Sequence, residues 1–190
     1  MRFKNLFFIA ICFVITSASA QKYTLGSTSE AKSTWEGISF SSEKTIQENV
    51  NEAPKLSIIG EITSEKELAA AIAKEEMVTI FVPMDSAFAD LSKKERKSLL
   101  ANTSRLSNMI KFLSIPGRVD RNSLTTAIEK NGGTAYFTTL SGETIGAKML
   151  NENVVLFDSE KNIARITAAN FYHKNGFFHI IDGLVYPSEE

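Results

Sequence analysis

The chain has 190 residues, with 21 Lys and Arg against 22 Asp and Glu, so its formal net charge at pH 7 is −1. This near-neutral balance argues against nucleic acid as the main partner, which usually requires a basic surface, and no run of Lys or Arg marks a membrane-surface patch. The single cysteine, Cys12, excludes an intramolecular disulfide framework.

The first 20 residues have the organisation of a secretory signal peptide. Arg2 and Lys4 precede an apolar stretch over residues 6–15, which at about ten residues is too short to cross a bilayer. Ala18 and Ala20 form a small-x-small cleavage site, which predicts a mature chain that begins at Gln21. We therefore expect export to the periplasm or the extracellular space, with an uncleaved anchor as the alternative, and the short one-domain organisation favours a bacterial origin.

Residues 21–42 are rich in Ser, Thr, Gly and Lys and show little periodicity. This composition predicts a flexible N-terminal segment. Trp35, Ile38 and Phe40 are apolar exceptions that could dock on the domain. No internal repeat is visible, so residues 43–188 are expected to form one domain.

Helix signals dominate the first half of this domain. Three segments have the form of a capping box, in which a hydroxyl and a carboxylate three residues later satisfy each other's backbone N–H groups; they start at Thr45, Ser64 and Ser92. Residues 57–62 predict a short apolar helix. Apolar residues at helical spacing predict two further helices, over residues 106–113 and around residues 124–128.

Strand signals dominate the second half. Residues 78–82 form a β-rich stretch stopped by Pro83, which predicts a central strand. Two hairpins follow, formed by residues 136–140 with 144–147 and by residues 154–157 with 163–167. Residues 177–181 and 184–186 are expected to complete the sheet. Helices followed by strands indicate an α+β fold.

Two blocks about ninety residues apart carry the most specific signal, at residues 79–88 and 175–187. Together with a Pro-Gly turn between them, they resemble the signature blocks of the fasciclin domain family. The matching residues are Thr79, Phe81, Pro83, Asp85, Ala87, Phe88, Pro116, Gly117, Asn175, Gly176, His179, Ile181 and Asp182. The resemblance implies a wedge-shaped β-sandwich wrapped by several helices.

The resemblance also implies a function. It suggests a secreted, non-enzymatic module for cell-surface or extracellular-matrix adhesion, with a cell-surface or matrix protein or glycan as its partner. In animal matrix proteins of this family, two dipeptides are associated with integrin binding; their places here are occupied by residues 112–113 and 170–171, and neither dipeptide is present. The alternative is a carrier of an apolar small molecule such as a pigment or lipid, for which the many Phe and Met residues could form an adaptable pocket.

No catalytic motif of the G-x-S-x-G, H-E-x-x-H, P-loop or G-x-G-x-x-G type occurs. We expect His179 to be a core histidine, Asp85 to cap the short helix that follows it, and Asp182 to hold a turn. His173 and His179 are the only histidines, too few for a zinc site without cysteine. The sequence therefore predicts no enzyme, no metal and no cofactor.

One segment is a candidate contact surface. Asn170, Phe171, Tyr172, His173 and Lys174 are predicted to form a loop that presents two aromatic rings, and exposed aromatic side chains often anchor interfaces. The alternative is that these rings belong to the core.

Overall fold

The structure, a computed structural model, describes residues 30–188. Its helices are α1 (Ile46–Asn51), α2 (Ser57–Thr63), α3 (Lys66–Lys74), α4 (Lys93–Leu100), α5 (Thr103–Phe112) and α6 (Arg121–Lys130), with 3-10 turns at Pro54–Leu56 and Asp85–Asp90. Its strands are β1 (Lys32–Trp35), β2 (Ile38–Ser41), β3 (Val78–Pro83), β4 (Ser114–Pro116), β5 (Thr134–Thr138), β6 (Thr144–Leu150), β7 (Asn153–Phe157), β8 (Ile163–His173) and β9 (Gly176–Ile181). The predicted α+β class is confirmed.

Seven strands form one curled sheet in the order β4-β3-β9-β8-β7-β6-β5. The sheet curls far enough for its two ends to meet, since the backbone N–H of Leu140, just beyond β5, donates to the carbonyl of Ser114 in β4 at 2.8 Å. All neighbouring strands are antiparallel except β3 and β9, which are parallel. Every residue of β3 is buried, as expected for a strand covered on both faces.

Local capping signals place the helix starts. The capping boxes at Thr45 and Ser92 are confirmed: each hydroxyl accepts from the backbone N–H three residues later, and the glutamate there accepts in return. The box expected at Ser64 is wrong, because Glu65 is the N-cap of α3 and its carboxylate accepts from Leu68 N at 3.0 Å. Asn102 caps α5, as its position before the apolar pattern indicates.

Two β elements differ from expectation. Residues 114–116, for which the sequence pattern predicts no strand, form the edge strand β4 beside β3, directly before Gly117 of the Pro-Gly turn. Residues 184–186 form no strand, although Leu184 and Val185 are buried. The sheet is completed by β9 alone because the chain bends after Ile181 into an irregular segment.

Residues 30–42 of the N-terminal segment, for which the composition predicts flexibility and Trp35, Ile38 and Phe40 are candidate docking residues, pack on the domain in the structure. β1 and β2 form an antiparallel hairpin in which Phe40 is fully buried. The Phe40 ring packs against Phe171 and Phe178 at centroid distances of 5.2 and 5.0 Å. The polar composition of the segment predicted flexibility, and only Trp35, Ile38 and Phe40 indicated the docking; residues 21–29 and the predicted signal peptide lie outside the described residues.

A buried amide fastens the hairpin to the domain. Asn49 in α1 is fully buried, accepts from Ser41 N at 2.8 Å and donates to Ser41 O at 3.0 Å. Its amide also lies 3.3 Å from the Tyr172 carbonyl in β8. One side chain therefore joins the hairpin, a helix and the sheet, and the folded unit includes residues 30–42.

Across residues 30–188, no helix combines the length and the apolar character needed to cross a membrane.

Replacing Phe40 by Ala tests the docked hairpin. We expect the free energy of unfolding to fall by about 3–5 kcal/mol, because the substitution leaves a cavity between two other phenylalanine rings. Chemical denaturation measures this loss, and Thr34→Ala on the exposed side of β1 serves as the control. A Phe40→Ala variant as stable as the wild type would contradict the docked arrangement.

Candidate functional site

The parallel pairing of β3 and β9 brings the two sequence blocks side by side. Phe81 lies opposite His179 in the register, and their rings stack at a centroid distance of 5.7 Å with an interplanar angle of 27°. Gly176 begins β9 with φ at +152°, and a Cβ there would lie 1.8 Å from the carbonyl oxygen of Val78. The sequence needs glycine at this position so that the two strands can approach.

His179 and Thr79 fasten the loop after β4 to these strands. His179 Nε2–H donates to the carbonyl of Val119 at 2.8 Å, while Nδ1 accepts from Asn170 N at 3.1 Å. Thr79 Oγ1 donates to the Gly117 carbonyl at 2.8 Å and accepts from Val119 N at 2.9 Å. Both imidazole nitrogens are therefore occupied, which confirms a core histidine and leaves no nitrogen for general acid–base chemistry.

Burial lowers the pKa of His179 below its ordinary value, and the hydrogen bond to Val119 and the charge of Asp120 only partly oppose this effect. The imidazole is consequently neutral near pH 7, in the tautomer that carries its proton on Nε2. The Val119 carbonyl requires a donor at Nε2, and the Asn170 N–H requires an acceptor at Nδ1, so this tautomer satisfies both partners.

Asp85 caps a helix, but not the one expected. Its carboxylate accepts from Ser57 Oγ at 2.6 Å, from Ser57 N at 3.2 Å and from Ile58 N at 3.0 Å. These groups belong to the first turn of α2, 28 residues earlier, and no side chain caps the 3-10 turn at Asp85–Asp90 itself. Asp85 therefore fastens β3 to α2, a contact across the fold that the local sequence does not reveal.

The remaining polar signature residues also bridge elements. The Asn175 side chain donates to the carbonyls of Ile72 and Glu75 at the end of α3, at 2.8 and 3.3 Å. Asp182 was expected to hold a turn; instead its carboxylate accepts from Arg165 N at 2.8 Å and lies 3.6 Å from the Arg165 Nε. Each signature side chain is thus occupied within the fold.

The candidate contact segment is largely internal. Residues 170–173 belong to β8 and not to a loop, and Phe171 and His173 are buried, with 6% and 2% exposure. Asn170 is exposed but structural: it has φ at +67°, and its side chain accepts from Arg121 N at 2.9 Å. Only Tyr172, half-buried against Phe177, and exposed Lys174 remain as surface groups of the five.

The exposure of Phe171 was predicted wrongly because the partner that covers it was assigned to the flexible segment. Its ring lies 5.2 Å from Phe40 and 5.3 Å from Phe178. Alternation along β8 cannot distinguish a strand covered on both faces from one with a solvent face.

His173 is the least satisfied group of the described region. Neither ring nitrogen has a hydrogen-bond partner within residues 30–188. Burial lowers its pKa to about 4. Polar groups of Val78, Phe177 and Asn175 lie near enough to oppose that shift, but none makes a hydrogen bond of good geometry. His173 is therefore a neutral, buried ring without a hydrogen bond of good geometry among the described residues.

A cleft of about 920 Å³ lies between α4, α5 and the segment after β9. Leu91, Leu99 and Met109 line it together with Tyr186, but so do the charged side chains of Lys94, Glu95, Arg105 and Glu160. Within residues 30–188, no group of three His, Cys, Asp or Glu side chains is placed to hold a metal ion. The cleft suits a polar ligand better than an apolar one.

Comparison with known proteins identifies the family of the chain. The model of the fasciclin domain family matches residues 54–187. Human periostin is 22% identical over 147 residues, which cover 77% of this chain and 16% of periostin. Protein sll1483 of the bacterium Synechocystis is 28% identical over 123 residues, which cover 64% of this chain and 61% of that protein. The chain thus spans less than two thirds of either relative.

Among solved structures, a FAS1 domain pair from the insect cell adhesion molecule Fasciclin I has the same fold, with a TM-score of 0.56 and 17% identity. The match covers 70% of this chain and 46% of that one. The chain belongs to the fasciclin domain family. The β1–β2 hairpin and α1 precede residues 54–187, which the family model matches.

The buried histidines predict a loss of stability in acid. Because burial lowers their pKa in the folded state, the unfolded chain takes up protons first. The contribution of His173 is therefore complete above pH 6.5 and is lost as the pH falls from 6.5 toward about 4, a loss of up to about 3 kcal/mol. His179 acts in the same direction.

Denaturation of the wild type and of His173→Phe between pH 7.5 and 4 measures this effect. We expect the variant to lose less stability than the wild type over the interval, because it keeps an apolar ring without a proton site. Tyr172→Phe is the matched control and should follow the wild type. Parallel pH profiles for wild type and His173→Phe would refute the assignment.

Phe171→Ala distinguishes a core residue from a surface anchor. We expect the free energy of unfolding to fall by about 3–5 kcal/mol, while Lys174→Ala leaves it nearly unchanged. An unchanged thermal midpoint for Phe171→Ala would show that this ring is a surface group and not part of the core.

Proposed function

We propose that this protein is a secreted, non-enzymatic binding module that acts in adhesion at a cell surface or in an extracellular matrix. Its export rests on the predicted signal peptide over residues 1–20, with processing before Gln21. Fasciclin domains are generally adhesion modules, and the insect molecule that shares the fold is named for cell adhesion. The partner would be a surface or matrix protein or glycan.

The observation that carries the proposal is the internal use of the polar signature residues. His179, Thr79, Asp85, Asn175 and Asp182 each bond a distant backbone group, so the side chains most typical of the family serve the scaffold. A scaffold of this kind leaves recognition to side chains on its outer surface. The mechanism is surface complementarity, without a bond made or broken.

The alternative, a carrier of an apolar molecule, gains no support from the cleft beside α4 and α5. Four charged side chains line it, and a pigment or lipid would leave them poorly solvated. No other observation favours a carrier over a binding module.

Binding of the purified mature chain to cells and matrix of the producing organism tests the proposal. We expect saturable binding of the labelled protein, competed by an excess of unlabelled protein and absent for the same protein after unfolding. Native mass spectrometry of that preparation should give the mass of residues 21–190 without bound cargo. An absence of saturable binding would refute the adhesive function, and a pigment or lipid lost on denaturation would establish the carrier instead.

A further inference from the structure

Four neighbouring strands contribute one residue each to a row on the solvent face of the sheet, which consists of three large side chains and one glycine. Tyr136 in β5, Gly146 in β6, Phe157 in β7 and Ile163 in β8 lie directly opposite one another in the register. Tyr136 and Ile163 are 66% and 49% exposed. At the usual spacing of strands, the row is about 14 Å long.

Gly146 makes this row flat. A Cβ at that position would lie 2.2–2.6 Å from three atoms of the Phe157 ring, so the ring lies directly over the glycine. There it meets Tyr136 edge to face, with 5.9 Å between centroids and an angle of 78°. The two rings and Ile163 form a continuous platform, although Phe157 lies outside the main core cluster.

Two cations border the platform. In the adjacent register row, Lys148 and Arg165 flank Val155. Lys148 Nζ lies 5.3 Å from the centroid of the Phe157 ring. The side chain of Arg165 is 55% exposed, and a carboxylate oxygen of Asp182 lies 3.6 Å from its Nε.

Carboxylates are missing from this face of the sheet. The strands β5 to β8 contain neither Asp nor Glu, although the chain has 22 of them. At the margin, Asp182 is paired with Arg165, and Glu143 accepts from Ser188 N at 2.7 Å. The platform therefore combines exposed aromatic surface with two cationic side chains, Lys148 and Arg165, and with strands that carry no carboxylate.

We propose that this platform binds a polysaccharide that contains uronic acids, an inference that rests on the proposed adhesive function and specifies its partner. The apolar C–H face of a sugar ring stacks on an exposed aromatic ring such as Tyr136. Its carboxylate would pair with Lys148 and Arg165, and the planar guanidinium of Arg165 matches a carboxylate in shape. The flat, shallow form of the platform suits an extended chain of such rings.

The geometry favours a glycan over a peptide strand added at the sheet edge. β5 has only five residues, and its end is already bonded to β4 through Leu140 and Ser114. An added strand would need a longer open edge. The exposed surface lies on the face of the sheet and not along its edge.

Isothermal titration of the purified mature chain with polygalacturonate, neutral dextran and dextran sulfate tests the inference. We expect wild type to bind polygalacturonate, more weakly as salt is raised, and not dextran. Tyr136→Ala should weaken binding by about tenfold, and Tyr136→Phe should retain it. Lys148→Gln should weaken binding by about fivefold, while Lys97→Gln on α4 should bind as the wild type does.

Several outcomes would overturn the inference. These are no binding of polygalacturonate, equal binding of dextran, equal or stronger binding of dextran sulfate, or Tyr136→Ala binding as the wild type. A Tyr136-dependent dimer on size-exclusion chromatography would also overturn the inference, because a second copy of the chain would then occupy the platform. Circular dichroism confirms that each variant is folded.

Binding of wild type and Tyr136→Ala to cells of the producing organism separates this inference from the broader function. Cell binding that Tyr136→Ala retains would overturn the glycan platform and leave the adhesive function standing. Absence of any cell binding would overturn both.

Discussion

The parallel contact between β3 and β9 is the constraint on which the rest of the fold depends. It joins segments about ninety residues apart, and it exists only because Gly176 lets β9 approach the Val78 carbonyl. The same contact stacks His179 on Phe81 and aims the imidazole at the loop after β4. From these two strands, Asp85 reaches α2 and Thr79 reaches the Pro-Gly loop, while Asn175, just before β9, reaches the end of α3. One buried interface thus positions α2, the end of α3 and the Pro-Gly loop.

Sequence patterns predicted the features that depend on neighbours along the chain. The capping boxes at Thr45 and Ser92 and the two hairpins follow from residues within a few positions of one another, and all are confirmed. The two signature blocks gave the family and the fold class. Two errors concern partners far away in the sequence: Asp85 caps a helix 28 residues earlier, and Phe171 is covered by Phe40 from a segment whose polar composition suggested flexibility. A third error is local, since Glu65 and not Ser64 caps α3.

The candidate site was harder to predict than the fold, because exposure depends on what packs on each face. Residues 170–174 carry the conspicuous aromatic side chains, yet the hairpin and β9 bury most of that surface. Tyr136 lies between Ala135 and Phe137, and alternation alone does not show which face of β5 meets solvent. The place of Tyr136 in a flat, exposed platform depends on Gly146 and Phe157 from two other strands. The register of these residues is set only in the folded sheet. In the proposed platform, recognition is separated from the residues that define the family.

The central claim is that His179 is a neutral structural clamp, with its proton on Nε2. Nitrogen-15 NMR of the imidazoles through a pH titration tests it most directly. A protonated Nε2 and an unprotonated Nδ1 are expected, with a titration midpoint below 6.5 and a slowly exchanging Nε2 proton. A ring that titrates at its ordinary pKa, or that carries its proton on Nδ1, would contradict this structural role. It would leave His179 available for acid–base chemistry.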